Sequence, residues 1–177
     1  DLCSIDKAPF VRCGARVVED FNVELSPAVI DEESFLYYGI GWSDLVAAEG
    51  ERVATLKFQE LGRKAFNPLN TCQDILDRLA PSLLITTSSP RFERASVGAA
   101  GALGIPSCVI VPAFVNLEIE WLGEPDFGTK LLVFHESVRE DLVRAGRRPS
   151  EVIVSGNPAY DEFFLESSLY TDGSVED

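Results

Sequence analysis

A single histidine, His135, stands directly after the apolar run Lys130 to Phe134 and directly before an acid, Glu136. An imidazole beside a carboxylate can move a proton or hold a sugar hydroxyl, and the carboxyl end of a buried strand places such a pair well for either task. Three other groups have residue types suited to a site. Ser88, Ser89 and Arg91 follow the β-branched run Leu83 to Thr87, and Ser89 with Pro90 can open a helix whose free amides attract a phosphate or carboxylate. Arg91 then sits in the first turn, where a cation opposes the helix dipole; a bound anion or a neighbouring carboxylate would offset this. Ser155, Gly156 and Asn157 follow the run Glu151 to Val154. Glu118 and Glu120 lie with Asn116 in a long irregular stretch, 113–128, and either acid is a candidate general base, since apolar neighbours such as Ile119 and Trp121 can raise a carboxyl pKa. Each group also has a plain structural reading, as a helix cap, a satisfied lone histidine, a tight turn or a common surface acid.

A parallel sheet would gather these residues. Leu83–Thr87, Ile105–Val111, Lys130–Phe134 and Glu151–Val154 read as four short strands buried on both faces. Between them, Phe92, Ala95, Ala99 and Leu103 recur at helical spacing before the left-handed stop Gly104, and Val138, Leu142 and Val143 line a helix over 136–145 that ends at Gly146. Asn70 or Thr71 can cap a helix over 72–80, and a last helix is expected over 159–165. Strands alternating with helices imply right-handed crossovers. The expected fold is α/β, a Rossmann-like open parallel sheet with helices on both faces and its strand ends collected on one edge. Upstream, Ala15–Leu25 reads as a strand with one wet face, and the section to Phe66 as one or two helices, with Phe35, Tyr37, Tyr38 and Trp42 in a helix–sheet core.

Composition narrows the function classes. A 177-residue chain with 46% hydrophobic residues can bury one core without metal or disulfide staples, so one domain over 1–166 with a polar tail or linker over 167–177 is expected. The net charge of −14 argues against a nucleic-acid partner and against an anionic membrane surface. Four scattered cysteines with no CxxC pair suggest neither a zinc site nor a disulfide framework, and fit a reducing, cytoplasmic setting. No run approaches the roughly 18 apolar residues of a membrane span, and no basic-then-apolar leader is seen. GxGxxG, Walker, GxSxG and HExxH patterns are all missing, so dinucleotide redox chemistry, ATP hydrolysis and serine or zinc hydrolysis lack motif support.

The stretch LLVFHESVREDLVRAGRRPSEVIVSGNPAYDEF resembles the closing third of the amino-terminal domain in GT-B-type enzymes, above all the group joining sugar-nucleotide glycosyltransferases and non-hydrolysing UDP-N-acetylglucosamine 2-epimerases. Val152-Ile153-Val154, Gly156-Asn157-Pro158 and Asp161 stand where that group has its strand and G-N-P-x-x-D turn. LLITTSSPRFERASVGAAGALGIPSCVIV also looks like the family's preceding strand, helix and next strand, while residues 1–66 show no match. The group's opening Gly-rich turn is missing, and so is the epimerase His-x-Glu-Ala-Gly turn, where this chain reads PAFVNLEIEW. The resemblance implies the acceptor-side half of a GT-B enzyme. Such an enzyme transfers sugar from a nucleotide diphosphate donor to a glycan or lipid acceptor, as in polysaccharide biosynthesis; the alternatives are the 2-epimerase and a non-catalytic sugar-nucleotide binding or partner-docking module. It implies His135, Glu136 and Glu120 as the catalytic candidates and Ser88, Ser89, Arg91, Asn116, Gly156 and Asn157 as substrate contacts. No metal and no cofactor beyond the nucleotide-sugar substrate is expected. The partner is a second Rossmann-like domain or subunit, and the chain alone should be an inactive monomer or weak dimer.

Overall fold

The structure is a computed structural model that describes residues 6–88 and 90–161. Four helices come first, α1 (Ala8–Asp20), α2 (Asp31–Glu49), α3 (Glu51–Leu61) and α4 (Leu69–Leu79). Strands and helices then alternate as β1 (Leu84–Thr87), α5 (Phe92–Ala102), β2 (Ser107–Val111), α6 (Ile119–Leu122), β3 (Lys130–Val133), α7 (Glu136–Ala145) and β4 (Val152–Val154). The protein is α/β, with a four-stranded, wholly parallel sheet in the order β1-β2-β3-β4, flanked by helices.

The register explains the core. Val109 pairs with Leu131 and Leu131 with Val152, and Val111 pairs with Val133, so these side chains share one face. They pack with Val97 of α5, Leu122 of α6, and Val138 and Leu142 of α7. The alternate residues point the other way. On that face Ile85 is 61% exposed, and Leu83, Ile110 and Ile153 are exposed as well, whereas Leu131 is fully buried at 0%. Gly104 and Gly146 end α5 and α7 with φ of 70° and 128°, as their positions in the sequence suggest.

Residues 15–25 are a correction to the sequence reading. The segment expected as a strand is the second half of α1 and the turn beyond it. Gly14, Val17, Val18 and Phe21 recur every three or four residues, and this helical period takes precedence over the partial alternation of Val23 and Leu25, which follow the helix end. Helices α1 and α2 cross so closely that a Cβ on Gly14 would fall inside the Phe35 carbonyl oxygen, and one on Gly39 inside that of Phe10. The aromatics are corrected too. Tyr38, Phe58 and Phe66 are buried with Phe21, Tyr37 and Trp42 against them, in a core made between helices rather than against the sheet. Within it the Phe21 and Phe58 rings meet edge-on at 4.8 Å and Phe58 stacks on Phe66 at 5.3 Å.

Two helix starts also differ. Helix α4 begins after Pro68, and Thr71 lies inside it, where its amide and hydroxyl donate to the buried Asp44 carboxylate at 3.1 and 2.6 Å and so tie α4 to α2. Helix α5 begins at Phe92, capped by Arg91 with no side-chain hydrogen bond, so Pro90 lies before the helix. The cap expected of Ser89 lies outside the described residues. So do most of the last expected helix, of which a 3₁₀ turn over Pro158–Tyr160 is described, and the tail.

Candidate functional site

The carboxyl edge of the sheet brings the turns after β2, β3 and β4 together. Phe114 and Phe134 meet edge-on with centroids 5.1 Å apart, joining the segment after β2 to the end of β3. Asn157 Nδ2 donates to the Pro112 carbonyl at 3.4 Å, and Ser155 N donates to Val133 O at 2.9 Å, which fastens the turn after β4 beside the other two. Gly156 makes that turn with φ of 76°, and Asn157 Oδ1 accepts the Ala159 amide at 3.0 Å. Both ends of the Asn157 amide are therefore used in holding the turn.

His135 is the N-cap of α7. Its Nδ1 accepts the Ser137 amide at 3.1 Å and lies 2.9 Å from the Ser137 hydroxyl. With Nδ1 occupied as an acceptor, the neutral ring carries its proton on Nε2, so the exposed imidazole offers a donor rather than a basic lone pair. Glu136 is exposed and holds Arg139 Nη1 at 2.5 Å. A surface pair of this kind is worth at most about 1 kcal/mol and opens readily. Glu120 is exposed on α6. Asn116, expected beside His135, lines a cavity of about 440 Å³ with Ile119, Asp141 and Arg144, at the other end of α7 from the histidine.

Arg91 faces away from these residues. It lines a cavity of about 660 Å³ with Ser34, Tyr37 and Tyr38 of α2 and Arg63 from the 3₁₀ turn after α3. The Tyr37 hydroxyl is buried without a hydrogen bond of acceptable geometry. Burial pushes its pKa up, against the opposing pull of Arg91 and then Arg63. Arg63 is the residue that sequence reasoning overlooks, and Tyr37 reads there as core: both lie far from β1 in the chain, and only the packing of α2 against the β1–α5 turn brings them to Arg91. Ser88 is half-buried in that turn. Among the described residues no group of three or more His, Cys, Asp or Glu is placed to hold a metal ion, and Cys13, Cys72 and Cys108 are free thiols. No helix among them is long and apolar enough to cross a membrane.

No protein-family model, curated protein or solved structure matches the chain.

Proposed function

We propose that this protein is the acceptor-side half of a nucleotide-sugar-dependent glycosyltransferase, working with a second Rossmann-like domain that holds the donor nucleotide. The observation that carries the reading is the junction of the turns after β2, β3 and β4 at one sheet edge, with the exposed His135 ring at the end of β3 capping α7 through Nδ1. Ligands of open parallel sheets bind at this edge. In the transfer, the acceptor hydroxyl oxygen forms a bond to the anomeric carbon while the bond from that carbon to the diphosphate oxygen breaks, the nucleoside diphosphate leaving with the electron pair. The acceptor proton passes to a carboxylate, for which Glu136 is adjacent and Glu120 is the second candidate. His135 then serves as the hydrogen-bond donor to a developing negative oxygen, with the positive end of the α7 dipole adding to the same field.

The cap and the chemistry can be separated by substitution. In the enzyme complete with its second domain, His135→Asn keeps a capping oxygen and removes the ring, whereas His135→Ala removes both. Both are expected to lower release of nucleoside diphosphate from the donor by about 10²-fold, but only the alanine variant should also lose about 1 kcal/mol of stability in thermal denaturation. Near-normal turnover by His135→Asn would overturn the assignment. Turnover of a nucleotide sugar by the 177-residue chain alone would overturn the half-enzyme reading itself.

A further inference from the structure

The cavity between α2 and the β1–α5 turn has features that the transfer reading does not use. Arg91 has φ of 70°, a backbone conformation that residues other than glycine adopt only where the surroundings impose it, and this places its guanidinium on the cavity wall. Arg63 lines the same cavity, and neither arginine forms an ion pair with a carboxylate of the described residues, although Glu24 and Glu33 also line it. The buried Tyr37 hydroxyl lines the cavity with them, close to the Arg91 guanidinium but without a well-aligned hydrogen bond. Two guanidiniums without an ion pair and a hydroxyl with bonding capacity left over, all on one cavity wall, point to an anion that enters the cavity.

We infer that this cavity binds a phosphate ester with a hydroxylated body, the phosphate lying between the Arg63 and Arg91 guanidiniums and accepting from the Tyr37 hydroxyl. Guanidinium forks match phosphate oxygens in pairs, which a single ammonium does not. Leu25 and Tyr38 give the body an apolar wall, while Glu24 and Glu33 can accept from its hydroxyls and disfavour a second anionic group. The volume, about 660 Å³, suits a small ligand rather than a polymer. The assignment stands apart from the His135 edge and holds whether or not transfer takes place there.

Calorimetric titration of the intact chain with glucose 1-phosphate, uridine monophosphate, inorganic phosphate, glucose and uridine tests it. One of the two esters is expected to bind at least tenfold more tightly than inorganic phosphate and than its own phosphate-free counterpart, and the tighter ester tells a sugar phosphate from a nucleotide. Arg63→Gln and Arg91→Gln should each weaken that ester tenfold or more, and Tyr37→Phe several-fold. Arg52→Gln, the same charge change on the exposed face of α3, should leave binding as it is. If Arg91→Gln does not fold by circular dichroism, Arg63→Gln and Tyr37→Phe decide, since Arg63 is exposed and the phenyl ring preserves the packing. Absence of binding by both esters, binding no tighter than that of inorganic phosphate, or equal affinity in folded Arg63→Gln and Tyr37→Phe would overturn the site.

Discussion

Arg147 shows how much one side chain can fix. It is wholly buried, and its guanidinium donates to the carbonyls of Glu124, Phe127 and Gly128 at 2.6, 2.8 and 3.0 Å, so the end of the long segment after β2 is held from the segment after α7. Its Nε faces the buried Glu151 carboxylate at 3.3 Å, close enough for an ion pair though not aligned for a hydrogen bond. Burial pushes the Arg147 pKa down and Glu151 opposes this. For Glu151, burial alone would raise the pKa, but the hydrogen bond from Arg148 and the charge of Arg147 outweigh it, and the net shift is below the ordinary 4.5. A carboxyl held below its unfolded value stabilises the fold above that value, and the contribution is lost as pH falls through the lower folded pKa. The wild type should therefore exceed Glu151→Gln in urea midpoint at neutral pH, with the gap narrowing as pH falls below the ordinary carboxylate range; a gap constant with pH would exclude the linkage. Arg147→Ala removes a donor from three carbonyls and leaves the buried Glu151 with Arg148 as its remaining cation, and is expected to cost about 3 kcal/mol in urea denaturation.

Among the elements, the crossing of α1 on α2 has the least tolerance. Gly39→Ala forces a methyl into the Phe10 carbonyl and is expected to cost about 3 kcal/mol or more. Gly101→Ala, within α5 and with nothing within 4 Å of the added methyl, should instead gain about 0.5–1 kcal/mol from helix propensity. Thermal melts of the two variants moving in the same direction would refute the packing argument. The two sheet faces make a similar contrast. Leu131→Ala should cost about 2–5 kcal/mol, whereas Ile85→Thr should stay within about 0.5 kcal/mol. The sequence was informative here in proportion to how local the cause is. The four strands and helices α5 and α7 are legible because β-branched runs, helical spacing and glycine stops are short-range signals. Helix α1 is not, because its burial depends on Gly14 meeting α2, and Val17, Val18, Val23 and Leu25 read as alternation until that contact is known. Thr71 reads as a cap for the same reason, its partner Asp44 lying 27 residues away.

At the scale of the whole molecule, the edge that carries His135 and Asn157 follows from the parallel fold and is legible with it, whereas the cavity that takes Arg91 depends on how the helical section packs beside the sheet, which residues 6–66 do not announce. The strand order carries a further consequence, for the path of folding. Leu84 pairs with Ser107, Cys108 with Lys130 and Leu131 with Val152, so every strand joins its immediate successor across a loop of nearly equal length, about twenty residues. The entropy of closing such a loop grows only with the logarithm of its length, so no crossover waits on a much costlier one. Parallel sheets are slow to form where distant strands must find each other first. This one can be laid down crossover by crossover in the order in which the chain is made.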